Sequence, residues 1–270
     1  MKPHPRHTLP LAGLLAAALW GCASHGVSDT TTPPAPKTEA STKPDTQKDG
    51  ERPAARPWDG DPTGPNGAFE DPNRAHTLRI DDVMDKLGIT KGSVVADVGA
   101  GGGWLSMLLA RRVGTTGIVY AQEISGRYTR YIKRRAEREK LTNVRTILGT
   151  PADPKLPANK LDAVIILNAY HEFDKQLTML RKIRTSLKPG GRLGFIERDT
   201  DKLRQEANEA YEKTGKIKRR VTEESDGKSY TDDHRLALPI VEREAKEAGF
   251  KKVSVLELRD DHYLLVVARD

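Results

Sequence analysis

The chain has 270 residues, of which 31% are charged and 36% hydrophobic, and 45 Lys+Arg against 38 Asp+Glu give a formal charge of +7. That length accommodates one large α/β domain plus further segments, and so modest a charge excess singles out no class of partner. One cysteine, Cys22, excludes an intrachain disulfide, and no apolar run downstream of it approaches the roughly 20 residues that span a bilayer.

Residues 1–22 place Lys2 and Arg6 before a Leu- and Ala-rich run from Leu9 to Trp20, which ends in Gly21-Cys22. A basic start, a short apolar stretch and small residues form the pattern of a secretory signal peptide. Residues 23–67 are Pro, Thr, Ser, Lys, Asp and Gly with almost no large apolar side chain. Such a segment cannot bury enough surface to offset its ordering entropy, so a disordered tether is predicted, with Trp58 its one anomaly. As a flexible coil of about 45 residues it would span roughly 40 Å.

Residues 68–270 read as one folded domain. Leu78, Ile80, Val83, Met84 and Leu87 make a helical stripe closed by Gly88. Strands are predicted at Val94–Val98, Ile118–Ala121, Val144–Leu148, Leu161–Leu167 and Leu193–Ile196. Helices are predicted at Leu105–Val113, Tyr128–Lys140 and Leu177–Leu187, the last broken by Lys188-Pro189-Gly190-Gly191. In the helix from Tyr128, Tyr131, Ile132 and Ala136 face inward and the arginines and lysines, Arg135 among them, outward. Buried strands alternating with helices imply a parallel sheet covered on both faces. The tail differs: helices Leu203–Lys213 and Pro239–Gly249 precede two strands, Val253–Leu258 and Tyr263–Ala268, close enough to pair antiparallel.

The chemistry concentrates at Val94–Leu105. An apolar β-branched run ends in Asp97-Val98, then Gly99-Ala100-Gly101-Gly102-Gly103, and a helical pattern follows at once. Glycines admit a ligand to the backbone, and the helix N-terminus offers unpaired donors. A dinucleotide site wants glycine where Trp104 stands, and Asp97 is poorly placed against a pyrophosphate. An acid there suits a ligand bearing positive charge.

Asp97-Val98-Gly99-Ala100-Gly101-Gly102-Gly103 resembles motif I of the class I S-adenosylmethionine (SAM)-dependent methyltransferases. Glu123 lies about 20 residues further on, where an acid accepts ribose hydroxyls in nucleotide folds. Gly149-Thr150-Pro151-Ala152-Asp153 stands where the family places adenine contacts, and Lys188-Pro189-Gly190-Gly191-Arg192-Leu193 resembles the family's turn before strand five. The resemblance covers Phe69 to Asp270 and implies a Rossmann-like seven-stranded sheet, helices on both faces and a C-terminal antiparallel hairpin. It implies SAM as cofactor, contacted by Asp97, Gly99, Ala100, Gly101 and Glu123, with Thr150 and Asn168 completing the set. Asp71-Pro72-x-Arg74, Tyr170-His171 and His234-Arg235 are similar to a group of exported bacterial methyltransferases, and similarity leans toward enzymes acting on quinones and other small molecules.

Methyl transfer is an in-line displacement in which alignment supplies much of the rate, and a base is needed only for a protonated nucleophile. The loop after strand four, Asn168 to Glu172, is the place for such a group. His171 and Tyr170 are the catalytic candidates, and two readings of His234 stand: approach to the substrate pocket from the tail, or helix capping beside Asp232 and Asp233. Some family members hold Mg²⁺ with acids after strands four and five; Glu172, Glu197 and Asp199 occupy those places without tight spacing, and no metal site is assigned. Asn168-Ala169-Tyr170 is not the Asn-Pro-Pro-aromatic motif of amino-methylating nucleic-acid enzymes, which disfavours adenine N-methylation, and the resemblance itself implies a small-molecule acceptor rather than nucleic acid.

Leu19-Trp20-Gly21-Cys22 resembles a bacterial lipoprotein cleavage box, which implies a lipid anchor on Cys22 and residence at the cell envelope. The basic stretches Arg127–Lys140 and Lys216–Arg220 read as solvated faces, with lipid favoured over RNA if Cys22 is anchored. Export creates a tension, because SAM is made in the cytoplasm. It motivates a second reading, a non-catalytic module of the same fold at the envelope. A third, an NAD-dependent oxidoreductase, is opposed by Trp104 and Asp97. Oligomeric state is left open.

Overall fold

A computed structural model describes Asp71, Asn73–Lys216 and His234–Asp270. The signal peptide, Cys22, the tether with Trp58, Pro72 and the basic run from Ile217 to Arg220 lie outside the described residues.

Seven strands form one sheet in the order β3-β2-β1-β4-β5-β7-β6. They are β1 (Val94–Val98), β2 (Ile118–Glu123), β3 (Val144–Leu148), β4 (Leu161–Leu167), β5 (Leu187–Arg198), β6 (Lys251–Glu257) and β7 (His262–Ala268). The first five run parallel, and β7 inserts antiparallel between β5 and β6. The expected C-terminal hairpin is therefore present, packed as β5-β7-β6.

Period-two alternation explains how the sheet is covered. Ala96 and Val98 of β1 and Val164 and Ile166 of β4 enter one core with helices α5 (Gln176–Ser186) and α7 (Leu238–Glu247). Val95, Ala163 and Ile165 face the other way, onto α2 (Ile80–Lys86) and α3 (Trp104–Val113). Ile132 and Ala136 of α4 (Gly126–Arg138) close a smaller cluster with Met107 and Ala121. Helix α6 (Asp201–Thr214), capped by the Thr200 hydroxyl accepting from the Leu203 amide, adds Ala207 to the first core.

Three local expectations are corrected. The stripe from Leu78 to Leu87 becomes helical only from Ile80: a separate short helix, α1 (Arg74–Thr77), precedes it, Arg79 takes φ 48, and Leu78 stays outside α2. Tyr131 is half-buried, and Arg135 turns inward, its side chain 11% exposed, where it pairs with Glu139 and donates to the Gly102 carbonyl at 3.2 Å. Lys188–Gly191 does not precede β5 but lies within it. The β4–β5 register jumps from Leu161↔Leu187 to Ala163↔Arg192, a bulge secured by the Gly190 amide donating to the Arg269 carbonyl. Elsewhere the predicted bounds differ by one or two residues, the usual fraying of element ends.

The strand order reverses between β1 and β4. In open parallel sheets the crevice beyond the strands' carboxyl ends at that point is where ligands sit. The segments that leave β1 and β4, Gly99 onward and Asn168 onward, define it here.

Candidate cofactor loop and histidine cluster

Glycine conformation makes the loop after β1. Gly99, Gly101 and Gly103 all have positive φ (76°, 53° and 76°), and Gly103 caps α3. Gly99 and Ala100 amides donate to the Gln122 carbonyl, both at 3.0 Å, which ties the loop to β2. A Cβ on Gly99 would come within 2.7 Å of Ala169 Cβ, so the β1 and β4 loops abut. A Cβ on Gly101 would meet nothing within 4 Å, so the loop's middle opens to a cradle.

Two acids enclose that cradle. Asp97 is buried, 1% exposed, and accepts from the Ser106 hydroxyl at 2.6 Å. Burial lifts its carboxyl to about 6, with Glu123 pushing the same way while Ser106 and Arg74 oppose. Glu123 accepts from the Gly101 amide at 2.9 Å through one oxygen and from the Ile124 amide at 2.8 Å through the other. Burial raises its pKa too, against the hydrogen bonds from the Gly101, Ser125 and Ile124 amides. Two carboxyls side by side, one buried and one half-buried, favour a cationic ligand.

Asp97, Gly99, Ala100, Gly101 and Glu123 thus converge on one loop. Thr150 lies past β3, exposed, its hydroxyl accepting from the Asp153 amide at 3.0 Å in a local turn. Asn168 has φ 47 and reaches across β5 to His262, Nδ2 to Nε2 3.1 Å. Its Oδ1 is buried and finds no hydrogen-bond partner among the described residues.

Tyr170, expected beside the reacting atoms, instead fills the core. It is fully buried, edge-on to Phe173 and Phe195, and its hydroxyl donates to Glu244 at 2.8 Å. An aromatic ring leaving β4 gains more from burial than from exposure, and Glu244 satisfies its polar end.

His171 is positioned quite differently. It lies in a 3₁₀ turn, Tyr170–Glu172, held by fully buried Glu197 on β5. One Glu197 oxygen accepts from the Tyr170 amide at 2.6 Å and the His171 amide at 3.3 Å. The other lies 2.8 Å from His171 Nδ1. His171 Nε2 lies 3.2 Å from His234 Nδ1, so the tail does reach the loop after β4. Asp199 is committed elsewhere: Arg204 grips both its oxygens and the Leu238 amide donates to it.

Arg74 entered from the sequence only through the Asp71-Pro72-x-Arg74 resemblance, and neither it nor Ile124 nor Leu148 was assigned to the site. Arg74 stacks over the Trp104 ring at 4.4 Å and its charge is felt at Asp97. Ile124 and Leu148, 53% and 50% exposed, stand just past Glu123 and at its paired position on β3. An apolar residue directly after an acid at a strand end, outside any helical stripe, was the available clue.

Comparisons with known proteins agree with this geometry. A family model described as "Methyltransferase domain" matches residues 95–191, from β1 into the bulge of β5. A demethylmenaquinone methyltransferase of a Geobacillus species is 27% identical over 124 residues, 46% of this chain and 53% of that protein. The chain thus spans about half the length of the demethylmenaquinone methyltransferases it matches. The uncharacterized methyltransferase YdaC of Bacillus subtilis is 30% identical over 141 residues, 51% of this chain and 71% of that protein. A SAM-dependent methyltransferase structure from Aquifex aeolicus superposes with a TM-score of 0.61, covering 78% of this chain and all of that one at 20% identity, which establishes a shared fold. An acid-flanked glycine loop at the switch point of this sheet, in a chain with these relatives, has one meaning: the chain belongs to the class I SAM-dependent methyltransferases.

Proposed function

We propose that the chain transfers a methyl group from SAM to a small-molecule acceptor, and does so at the cell envelope. The observation that carries the transfer reading is the pairing of buried Asp97 with half-buried Glu123, which holds the Gly101 amide, around a glycine loop whose centre is open.

The residues present fit the cofactor. Asp97 would accept from its ammonium, and Arg74 with the N-terminus of α3 would take its carboxylate. Glu123 would exchange its bond to the Gly101 amide for the ribose hydroxyls. Ile124 and Leu148 offer the flat apolar surface that an adenine ring buries. When bound, SAM supplies a methyl group on an already activated leaving group. The chain's own work is to align the acceptor and exclude water. His171 suits the acceptor side: a proton shared between Nδ1 and Glu197 directs the Nε2 lone pair outward, to orient a hydroxyl or accept its proton.

Calorimetry of the full-length chain with SAM should show one site saturating well below about 1 mM. With methyl-labelled SAM and a lipid extract, label should pass into the organic phase. No heat at millimolar SAM would sink the cofactor reading, and binding without transfer would favour the non-catalytic module.

Placement at the envelope is supported by the Lys2–Cys22 pattern. Labelled palmitate should enter the wild-type chain in bacteria and not the Cys22→Ser variant, which should move to the soluble fraction. Equal labelling of both would defeat the anchor.

A further inference from the structure

The groups around His171 form a cluster that methyl transfer by itself does not require. His171, Glu172 and His234 each offer a ligand atom, and those atoms lie within 4.8 Å of one another. His171 Nε2 is 3.2 Å from His234 Nδ1 and 3.7 Å from Glu172 Oε1. Two nitrogens bound to one tetrahedral zinc at about 2.0–2.1 Å stand roughly 3.3 Å apart. The imidazole pair therefore already has the spacing that a shared ion requires, and only a small closure of Glu172 completes the triangle.

The support behind the cluster points the same way. Metal-bound histidines usually donate their second ring N–H to a carboxylate, which fixes the tautomer and strengthens the ligand. Glu197, with no exposed surface, stands 2.8 Å from His171 Nδ1 and takes two backbone amides besides, so its position is fixed by three bonds. His171 and Glu172 retain 11% and 30% exposure, and His234 is exposed, so an ion can enter. Two imidazoles and one carboxylate suit zinc and its first-row neighbours rather than magnesium or calcium, which take oxygen.

We propose that His171, Glu172 and His234 bind one divalent transition metal of the zinc class, with Glu197 orienting His171 from behind. The turn that carries His171 and Glu172 follows Ala169, which abuts Gly99, so the ion would lie beside the cofactor loop. Three protein ligands leave a coordination position open, as in catalytic rather than structural zinc sites. The site refines the transfer reading, since Nε2 of His171 cannot be both ligand and base.

The test is a titration of untagged, chelator-treated full-length chain with zinc alone, against a chromophoric indicator. One equivalent should bind with a Kd of about 1 μM or tighter. His171→Ala and His234→Ala should each weaken it about 100-fold or more, and Glu197→Gln about 10–100-fold. His76→Ala, an exposed histidine on α1, should bind as the wild type does. Cobalt in place of zinc should give the visible bands of a four- or five-coordinate ion. Absence of binding at about 100 μM zinc, or binding retained by both histidine variants, overturns the proposal. Circular dichroism checks that the variants fold, and His234→Ala, at an exposed position, decides if His171→Ala does not. No SAM is present, so zinc binding without SAM binding sinks only the transfer reading, and the reverse result sinks only the metal.

Discussion

Asp97→Asn is expected to stabilise the free protein at pH 7 and to weaken SAM binding. The ordinary value of 3.8 becomes about 6 in the fold, because burial penalises the charged carboxyl more than the Ser106 hydroxyl and Arg74 help it. Between those two values the folded chain keeps a proton that the unfolded chain releases. Stability therefore falls as pH rises from about 4 to about 6 and stays at the lower level above. At about 1.4 kcal/mol per pKa unit, the full cost at pH 7 is near 3 kcal/mol. Asparagine avoids the charge, and its carbonyl still accepts from Ser106. Its amide hydrogens want an acceptor, so the net gain is about 1–3 kcal/mol. The ammonium of SAM loses a charge-assisted hydrogen bond, which weakens binding about 10–150-fold. Urea unfolding at several pH values, with calorimetry of SAM, measures both. The stability advantage of the variant over the wild type should open across the window and hold above it, and wild-type affinity for SAM should drop below about pH 6. A variant that is less stable at pH 7, or that binds SAM unchanged, contradicts the assignment.

That trade between stability and function also marks where the sequence was readable. Val94–Val98, Val144–Leu148 and Leu161–Leu167 were bounded correctly because each is a short run rich in Val, Ile or Thr between turn residues, a local signal. The loop after β1 was legible for the same reason: Asp97 and the glycines lie within seven residues of one another, and backbone geometry follows from glycine itself. What was not legible depends on distant partners. The Pro189-Gly190-Gly191 run reads as a turn, yet Arg269, some eighty residues away in the chain, supplies the backbone bonds that keep it in β5. The left-handed Arg79 that splits α1 from α2 leaves no mark in residue type, since arginine is an ordinary helix former. Tyr170 and His171 are neighbours with different fates because Glu244 on α7 takes one hydroxyl into the core while Glu197 on β5 holds the other side chain half-buried in the loop after β4. Glu197 and Asp199 looked equivalent as acids after β5. Arg204 occupies the second and leaves the first to organise the turn.

Glu197 gives the largest expected loss, and two substitutions separate its two jobs. Glu197→Ala leaves the Tyr170 amide, the His171 amide and the His171 ring N–H without their acceptor in a buried place. Each unmet donor costs about 1–3 kcal/mol, so a destabilisation of about 3–5 kcal/mol is expected, read as a lowered urea midpoint. Glu197→Gln keeps the volume. Its carbonyl oxygen must face the two backbone amides, because its NH₂ there would oppose two donors. The NH₂ is then aimed at His171 Nδ1, which turns from donor to acceptor, and the ring proton moves to Nε2. The fold should lose only about 1 kcal/mol, while the Nε2 lone pair disappears from the side facing His234. Methyl transfer should fall about 10–100-fold with KM for SAM little changed, because the hydrogen bonds of Glu197 among the described residues go to the turn after β4 and not to the glycine loop. Nitrogen-15 imidazole spectra of the two proteins report the tautomer directly. A glutamine variant that kept the wild-type tautomer and lost activity all the same would show that Glu197 acts through its charge, not by fixing the ring proton.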